Sequence, residues 1–225
     1  MTSFEVLGQT VTLPVEVRDA SSATVMFEVD AAAAQALSPF PVVESSPGRA
    51  QIALALVDYR DNDLGSYHEV GVIFFVQPEG REPGNYIRHL PVDQEFTNVA
   101  GNLIWGFPKS VQQIDVTSTE TSSRWVLTMD GELVVDVTVP RGGTDEMPQM
   151  QMQTYTVREG VPCGTAFAQG GTGSLLTIGG DGVTIALGTH PVAKELASLG
   201  LPDAPVVLTT WLEHMQATFG EALPL

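Results

Sequence analysis

Apolar and polar residues alternate along most of this chain, in short runs separated by glycine, proline and polar residues. Alternation with a period of two puts successive side chains on opposite faces of a strand, so each run predicts a β-strand. No helical segments recur regularly between the runs, and this order favours an antiparallel barrel or closed sandwich over a parallel α/β sheet. The predicted strands cover residues 10–13, 24–29, 51–57, 69–76, 86–90, 125–129, 132–139, 151–157 and 175–187.

Two short segments are predicted to form turns. Asp130-Gly131 separates two alternating runs, which is a strong signal for a tight β-hairpin. Gly170–Gly173 is glycine-rich but lacks the lysine and the spacing of a phosphate-binding loop, so it also predicts a hairpin turn.

Three segments predict short helices. Asp30 can cap a helix over residues 31–37, and Pro191 suits the first turn of a second helix that Gly200 ends. A stripe of apolar residues at helical spacing predicts a third helix near the C-terminus; its members are Trp211, Leu212, Met215 and Phe219. The fold class expected is therefore mainly β with a few short helices, in a single domain over residues 1–225.

The charge of the chain excludes several classes of partner. Lys and Arg number 10 against 27 Asp and Glu, which gives a net charge of −17. A chain this acidic is repelled by nucleic acid and by anionic membrane surfaces. The longest apolar run, Val70–Val76, is far shorter than the roughly 20 residues of a membrane helix, and no signal peptide is evident. We therefore expect a cytoplasmic protein that binds neither nucleic acid nor membrane.

Common cofactor and metal motifs are missing from the sequence. Cys163 is the single cysteine, so an intrachain disulfide is impossible. The four histidines are scattered and none is paired at the spacing of helical metal ligands. We therefore predict no metal site and no cofactor.

The chain has two lysines, which differ sharply in their surroundings. Lys109 follows the apolar, aromatic segment 103–108, whereas Lys194 lies on the polar side of the predicted helix after Pro191. An apolar environment lowers the pKa of lysine, and the neutral amine can attack a ketone to form a Schiff base. A second interpretation stays open, in which Lys109 lies at a strand edge and reaches water with its stem on the aromatic residues.

The lysine segment resembles that of a known family. Residues 101–109, Gly-Asn-Leu-Ile-Trp-Gly-Phe-Pro-Lys, resemble the Gly-Arg-Glu…Gly-(aromatic)-Pro-Lys segment of the acetoacetate decarboxylase family. Residues 65–71 resemble the family's Gly-x-Tyr-x-Glu element, and residues 86–93 resemble the strand that precedes the lysine segment. Residues 190–202 resemble a C-terminal element of smaller members. The elements follow in the family's order, and the resemblance covers roughly residues 10–220.

The resemblance implies a cone-like, closed antiparallel β-barrel, assembled as a homo-oligomer, that holds a buried lysine. Lys109 matches the Schiff-base nucleophile, and Glu69 matches an active-site glutamate that would relay a proton or position the carbonyl group. For the aromatic candidates and the histidine, ordinary packing in the barrel is the alternative. The candidate substrate-binding residues are Trp105, Phe107, His89, Arg88 and Ser110.

Several positions depart from the family pattern. Ser110 stands where typical decarboxylases carry a second lysine, and Asn102-Leu103 stands in place of Arg-Glu. The arginine that receives a substrate carboxylate has no secure match, because Arg18 is nearby but offset. Without a cationic neighbour, burial alone would have to lower the pKa of Lys109.

These observations predict a cofactor-free Schiff-base enzyme that acts on a small keto acid or a related carbonyl compound, by decarboxylation or by aldol and dehydration chemistry. The alternative is a non-catalytic barrel that binds a small apolar or carbonyl ligand, with Lys109 as its anchor. A net charge of −17 does not attract small carboxylates. Either local cations such as Lys109 or Arg88 overcome this field, or the substrate carries less charge than a keto acid.

Overall fold

The computed structural model describes residues 2–225 of the chain, and most of them lie in strands. The strands are β1 (Ser3–Val6), β2 (Gln9–Thr12), β3 (Val15–Asp30), β4 (Glu44–Ser46), β5 (Arg49–Asn62), β6 (Tyr67–Val76), β7 (Gly84–Val92), β8 (Lys109–Val111), β9 (Gln113–Ser118), β10 (Ser122–Met129), β11 (Glu132–Pro140), β12 (Asp145–Arg158), β13 (Val161–Ile178), β14 (Thr184–Leu187) and β15 (Val206–Pro224). The helices are α1 (Ala31–Ala36), α2 (Glu95–Trp105) and α3 (Pro191–Ser198). No helix within residues 2–225 is long and apolar enough to cross a membrane.

Seven strands close into a barrel in the order β12-β13-β15-β3-β5-β6-β7. Six of the seams are antiparallel, and the barrel closes where β12 pairs in parallel with β7, with Thr154 opposite Asn85 and Tyr155 opposite Tyr86. The closed barrel predicted from the strand pattern is confirmed. Strand β8 extends the sheet beyond β7 through a parallel pair in which Lys109 lies opposite Leu90.

Two apolar cores pack around the barrel. The first joins barrel strands β3, β5 and β6 to α1, α3 and the separate sheet β14-β11-β10-β9, with Phe74, Trp125 and Leu196 among its most buried side chains. The second surrounds α2 and includes Ile104 and Trp105. Burial of apolar side chains on one face of α2 therefore fixes this helix, and the lysine segment after it, against the barrel.

The local signals for two helices and one hairpin are confirmed. The Asp30 carboxylate accepts a hydrogen bond from the Ala33 amide at 2.8 Å and caps α1. Pro191 opens α3. Asp130 and Gly131 both have positive φ and connect β10 to β11 in an antiparallel hairpin.

The predicted C-terminal helix is wrong, because its apolar stripe lies in strand β15. Trp211, Met215 and Phe219 are four residues apart, and a spacing of four satisfies one face of a strand as well as one face of a helix. The segment forms a strand because β15 pairs with both β13 and β3.

The predicted turn at Gly170–Gly173 is also wrong, because these residues lie within β13. A Cβ on Gly170 would come 2.8 Å from the Cα of Gln149, and one on Gly171 would come 2.1 Å from the carbonyl oxygen of His214. Glycine is needed here for close approach of neighbouring backbones rather than for a reversal of the chain.

Candidate active site

The barrel encloses a cavity of 620 Å³ whose walls are mostly apolar side chains. Lys109 and Glu69 reach it from β8 and β6, and Trp105 and Phe107 line it beside α2. The rings of Trp105 and Phe107 stack with their centroids 5.4 Å apart. The lysine and the glutamate identified from the sequence therefore meet in one cavity.

Helix α2 and the turn after it place Lys109. Gly106 ends the helix with φ of 66°, a conformation that glycine adopts readily, and its amide donates to the Asn102 carbonyl. The chain then reverses, and β8 begins at Lys109. The amide side chain of Asn102 donates to the Lys109 carbonyl at 3.0 Å and ties the strand back to the helix. The turn thus directs the lysine side chain back across α2.

Gly101 provides the space that this side chain needs. A Cβ at position 101 would lie 2.6 Å from Cδ and 2.9 Å from Cε of Lys109, closer than atoms can approach. The glycine of the lysine segment therefore serves the placement of Lys109 across the helix.

Three side chains surround the Lys109 ammonium group, and only 3% of the side chain is exposed. Nζ lies 2.8 Å from Glu69 Oε2, and it donates to Thr97 Oγ1 at 2.8 Å and to the Tyr67 hydroxyl at 3.4 Å. It also lies 4.8 Å from the centre of the Tyr67 ring. The lysine is thus a buried member of a polar cluster, and the interpretation that it extends into water is wrong.

Glu69 lies in β6 and has its second oxygen occupied as well. The Tyr59 hydroxyl donates to Glu69 Oε1 at 3.3 Å. Tyr59 lies opposite Tyr67 across the β5–β6 seam, and the two rings stack at 4.4 Å. Each carboxylate oxygen of Glu69 therefore has a partner, the Tyr59 hydroxyl at Oε1 and the Lys109 ammonium group at Oε2.

The pKa of Lys109 lies above its ordinary value of 10.5. Burial lowers this pKa, but the nearby Glu69 carboxylate and the Tyr67 hydroxyl raise it by more. Burial raises the pKa of both Tyr59 and Tyr67. The expectation that burial alone lowers the pKa of Lys109 is therefore wrong, because local composition does not reveal the carboxylate. The contact between Nζ and Oε2 has the geometry of an ammonium–carboxylate ion pair.

Arg88 and His89 lie outside the lining of this cavity. Arg88 Nη2 lies 2.8 Å from Glu195 Oε2, and His89 Nε2 lies 2.8 Å from Glu195 Oε1, so both side chains attach β7 to α3. Burial of Glu195 raises its pKa, but the hydrogen bonds from His89 and Arg88 outweigh burial and lower the pKa to about 2. The structure does not support the predicted contact of Arg88 and His89 with substrate, because Glu195 binds both side chains outside the cavity.

Ser110 also lies outside the lining of the cavity. Side chains alternate along a strand, so the residue after Lys109 points to the other face of β8. Its hydroxyl accepts a hydrogen bond from Gln112 Nε2 at 3.4 Å. The predicted contact with substrate therefore has no geometric support at this position.

Sequence reasoning missed three members of the cluster. Tyr67 lies two residues before Glu69 on the same face of β6, and this spacing within the Gly-x-Tyr-x-Glu element was a usable signal. Tyr59 joins through the register of β5 with β6, and Thr97 joins through α2, a helix that the hydrophobic pattern did not predict. Within residues 2–225, no three His, Cys, Asp or Glu side chains converge as a metal site requires.

Comparisons with known proteins agree with the overall fold. The acetoacetate decarboxylase family profile matches residues 7–165, whereas a search of curated sequences finds no match. An acetoacetate decarboxylase from Legionella pneumophila superposes with a TM-score of 0.71 at 16% identity, over 94% of this chain and 87% of that one. The enduracididine biosynthesis enzyme MppR, complexed with pyruvate, gives 0.60 at 16% identity, over 94% and 89%. An acetoacetate decarboxylase-like enzyme from Sphingomonas wittichii gives 0.61 at 17% identity, over 96% and 94%.

Proposed function

This chain belongs to the acetoacetate decarboxylase family, and from that premise we propose that it is a Schiff-base enzyme in which Lys109 attacks a carbonyl compound. The observation that carries the proposal is the contact of 2.8 Å between Lys109 Nζ and Glu69 Oε2 inside the barrel cavity. The pair supplies a nucleophile and a proton acceptor within hydrogen-bond distance, which covalent catalysis requires.

The raised pKa of Lys109 makes Glu69 essential to the first step. The ammonium group transfers a proton to the Glu69 carboxylate, and the resulting neutral amine attacks the carbonyl carbon. The carbonyl oxygen becomes a hydroxyl group when a proton moves to it from the nitrogen. Protonated Glu69 then donates its proton to this hydroxyl, which leaves as water. The iminium cation remains on Lys109 beside the regenerated Glu69 carboxylate, so the total charge is unchanged.

The iminium directs the chemistry that follows. It withdraws electrons from the adjacent carbon, so either loss of a proton or loss of carbon dioxide from that carbon gives an enamine. The enamine is then protonated, or it adds to a second carbonyl group in an aldol reaction that can end in dehydration. The contacts around Lys109 support the iminium shared by these reactions, which are decarboxylation and aldol or dehydration chemistry.

Borohydride trapping tests the proposal. The protein is incubated with a panel of ketones, aldehydes and keto acids, reduced with borohydride and analysed by peptide mass spectrometry. We expect a reduced adduct on Lys109 and none on Lys194, which is exposed on α3 and serves as an internal control. The absence of an adduct on Lys109 with every compound, or equal labelling of both lysines, would contradict the proposal.

Gly101→Ala is expected to slow formation of the Lys109 adduct by about 100-fold, because a displacement of about 1 Å can cost this much. The new Cβ would overlap Cδ of Lys109 and push Nζ away from Glu69 and Thr97. Alanine ordinarily stabilises a helix by about 0.5–1 kcal/mol relative to glycine, so the variant should still fold. The measurements are the rate of adduct trapping and the thermal midpoint.

Leu103→Ala is the matched control for Gly101→Ala, because it also places alanine in α2 but at a residue that is 46% exposed. It should trap substrate at the wild-type rate. A wild-type rate in Gly101→Ala would show that Lys109 does not depend on the space at Gly101.

A further inference from the structure

The charged side chains that line the cavity are mainly acidic. Within residues 2–225 they are Lys109, Glu69, Asp145 and Glu146. The one cation among them is already paired with Glu69. Asp145 and Glu146 are exposed and mark a side where the cavity meets solvent. A carboxylate that enters on this side would therefore pass two acids and find no free cation among the cavity-lining side chains of residues 2–225.

Most arginines of the chain are paired with carboxylates away from the cavity. None of the eight arginines, which all lie within residues 2–225, lines the cavity, and six of them are paired with carboxylates outside its lining. These six are Arg18, Arg49, Arg60, Arg88, Arg124 and Arg141. Arg88, which the sequence offered as a local cation, is bound to Glu195.

The uncharged side chains that line the cavity favour an apolar ligand. Five of the seven methionines line the cavity, and methionine is a flexible side chain that adapts to apolar ligands of different shape; they are Met26, Met147, Met150, Met152 and Met215. A volume of 620 Å³ lies within the range of pockets that enclose drug-sized molecules. Both features describe a site for a molecule larger than a three- or four-carbon acid.

From these walls we infer that the carbonyl compound bound by Lys109 is uncharged and carries an extended apolar chain or ring, rather than being a small keto acid. An unpaired carboxylate is strongly disfavoured in an apolar interior, whereas the walls favour an apolar chain through burial. This inference rests on the proposed Schiff-base function, because it names the substrate class for the same lysine.

A matched pair of ketones tests the substrate class. Nonan-2-one and 8-oxononanoate have the same number of carbons and the same methyl ketone, but only the second ends in a carboxylate. Each is trapped on the full-length protein with borohydride, beside pyruvate and acetoacetate, and the rate of Lys109 labelling is compared at equal concentration. Lys109→Met provides the background. We expect nonan-2-one to label Lys109 faster than any of the three acids, by at least about tenfold.

The outcomes separate this inference from the proposed function. Labelling of Lys109 by any acid at the same rate as nonan-2-one, or faster, would overturn the inference and leave the Schiff-base function standing. No labelling by any compound would overturn both. The double variant Asp145→Asn, Glu146→Gln should keep the preference, because it leaves the interior without a free cation. If this variant lost the preference for the uncharged ketone, the preference would arise from the two acids at the opening. That result would overturn the inference that the interior of the cavity selects the uncharged ketone.

Discussion

Lys109→Arg is expected to abolish adduct formation and turnover, with a loss of at least about 10⁴-fold, as expected when a nucleophile is removed. Arginine keeps the positive charge beside Glu69, but its pKa is too high for it to become a neutral nucleophile. The variant should therefore preserve the ion pair and remove the chemistry. The measurements are borohydride trapping with the carbonyl panel and the thermal midpoint of the protein.

Two further variants complete this experiment. Lys109→Met removes the cation and leaves Glu69 buried without its partner, which should lower the free energy of unfolding by about 3–5 kcal/mol. Lys194→Arg changes the exposed lysine of α3 and should leave both trapping and stability as in the wild type. Trapping by Lys109→Arg at the wild-type rate would assign the adduct to another residue and remove Lys109 as the nucleophile.

Lys109 could be predicted from the sequence because the chain has only two lysines and one of them follows an apolar, aromatic segment. Glu69 could be predicted only through the resemblance, since nothing in its local sequence distinguishes it from an exposed strand end. The direction of the Lys109 pKa shift could not be predicted. It depends on a carboxylate 40 positions earlier in the chain, which the barrel brings within 2.8 Å.

The other differences between the sequence predictions and the structure arise from pairing between segments that are distant in the chain. Period-two alternation predicts strands reliably because one face of each strand is buried, and the closed barrel followed from many such runs. The apolar stripe from Trp211 to Phe219 fits a helix and a strand equally. Only its pairing with the two neighbouring strands shows that it is a strand. Arg88 and His89 lie beside the lysine segment in the expected order, but Glu195 of α3 binds both side chains outside the cavity.

Glu69→Gln is expected to slow formation of the Lys109 adduct by about 10²–10⁴-fold, the usual contribution of general acid–base catalysis. The amide fills the same space but cannot take the proton of the ammonium group or return it to the leaving hydroxyl. The same change removes the carboxylate that raises the pKa of Lys109, while burial, which lowers it, remains. The pKa of Lys109 should therefore fall, and the neutral amine should become populated at lower pH than in the wild type.

Two measurements on Glu69→Gln distinguish a role in proton transfer from a role in packing. The pKa of Lys109 is followed by NMR of the unmodified, ¹³C-labelled lysine side chain, and the adduct rate is followed by trapping across pH. Glu195→Gln is the matched control, because it neutralises a partly buried glutamate that binds Arg88 and His89 outside the cavity. It should change neither quantity. A lower pKa with a slower rate supports proton transfer, since more neutral amine would otherwise react faster. A wild-type rate would mean that Lys109 loses its proton by another route.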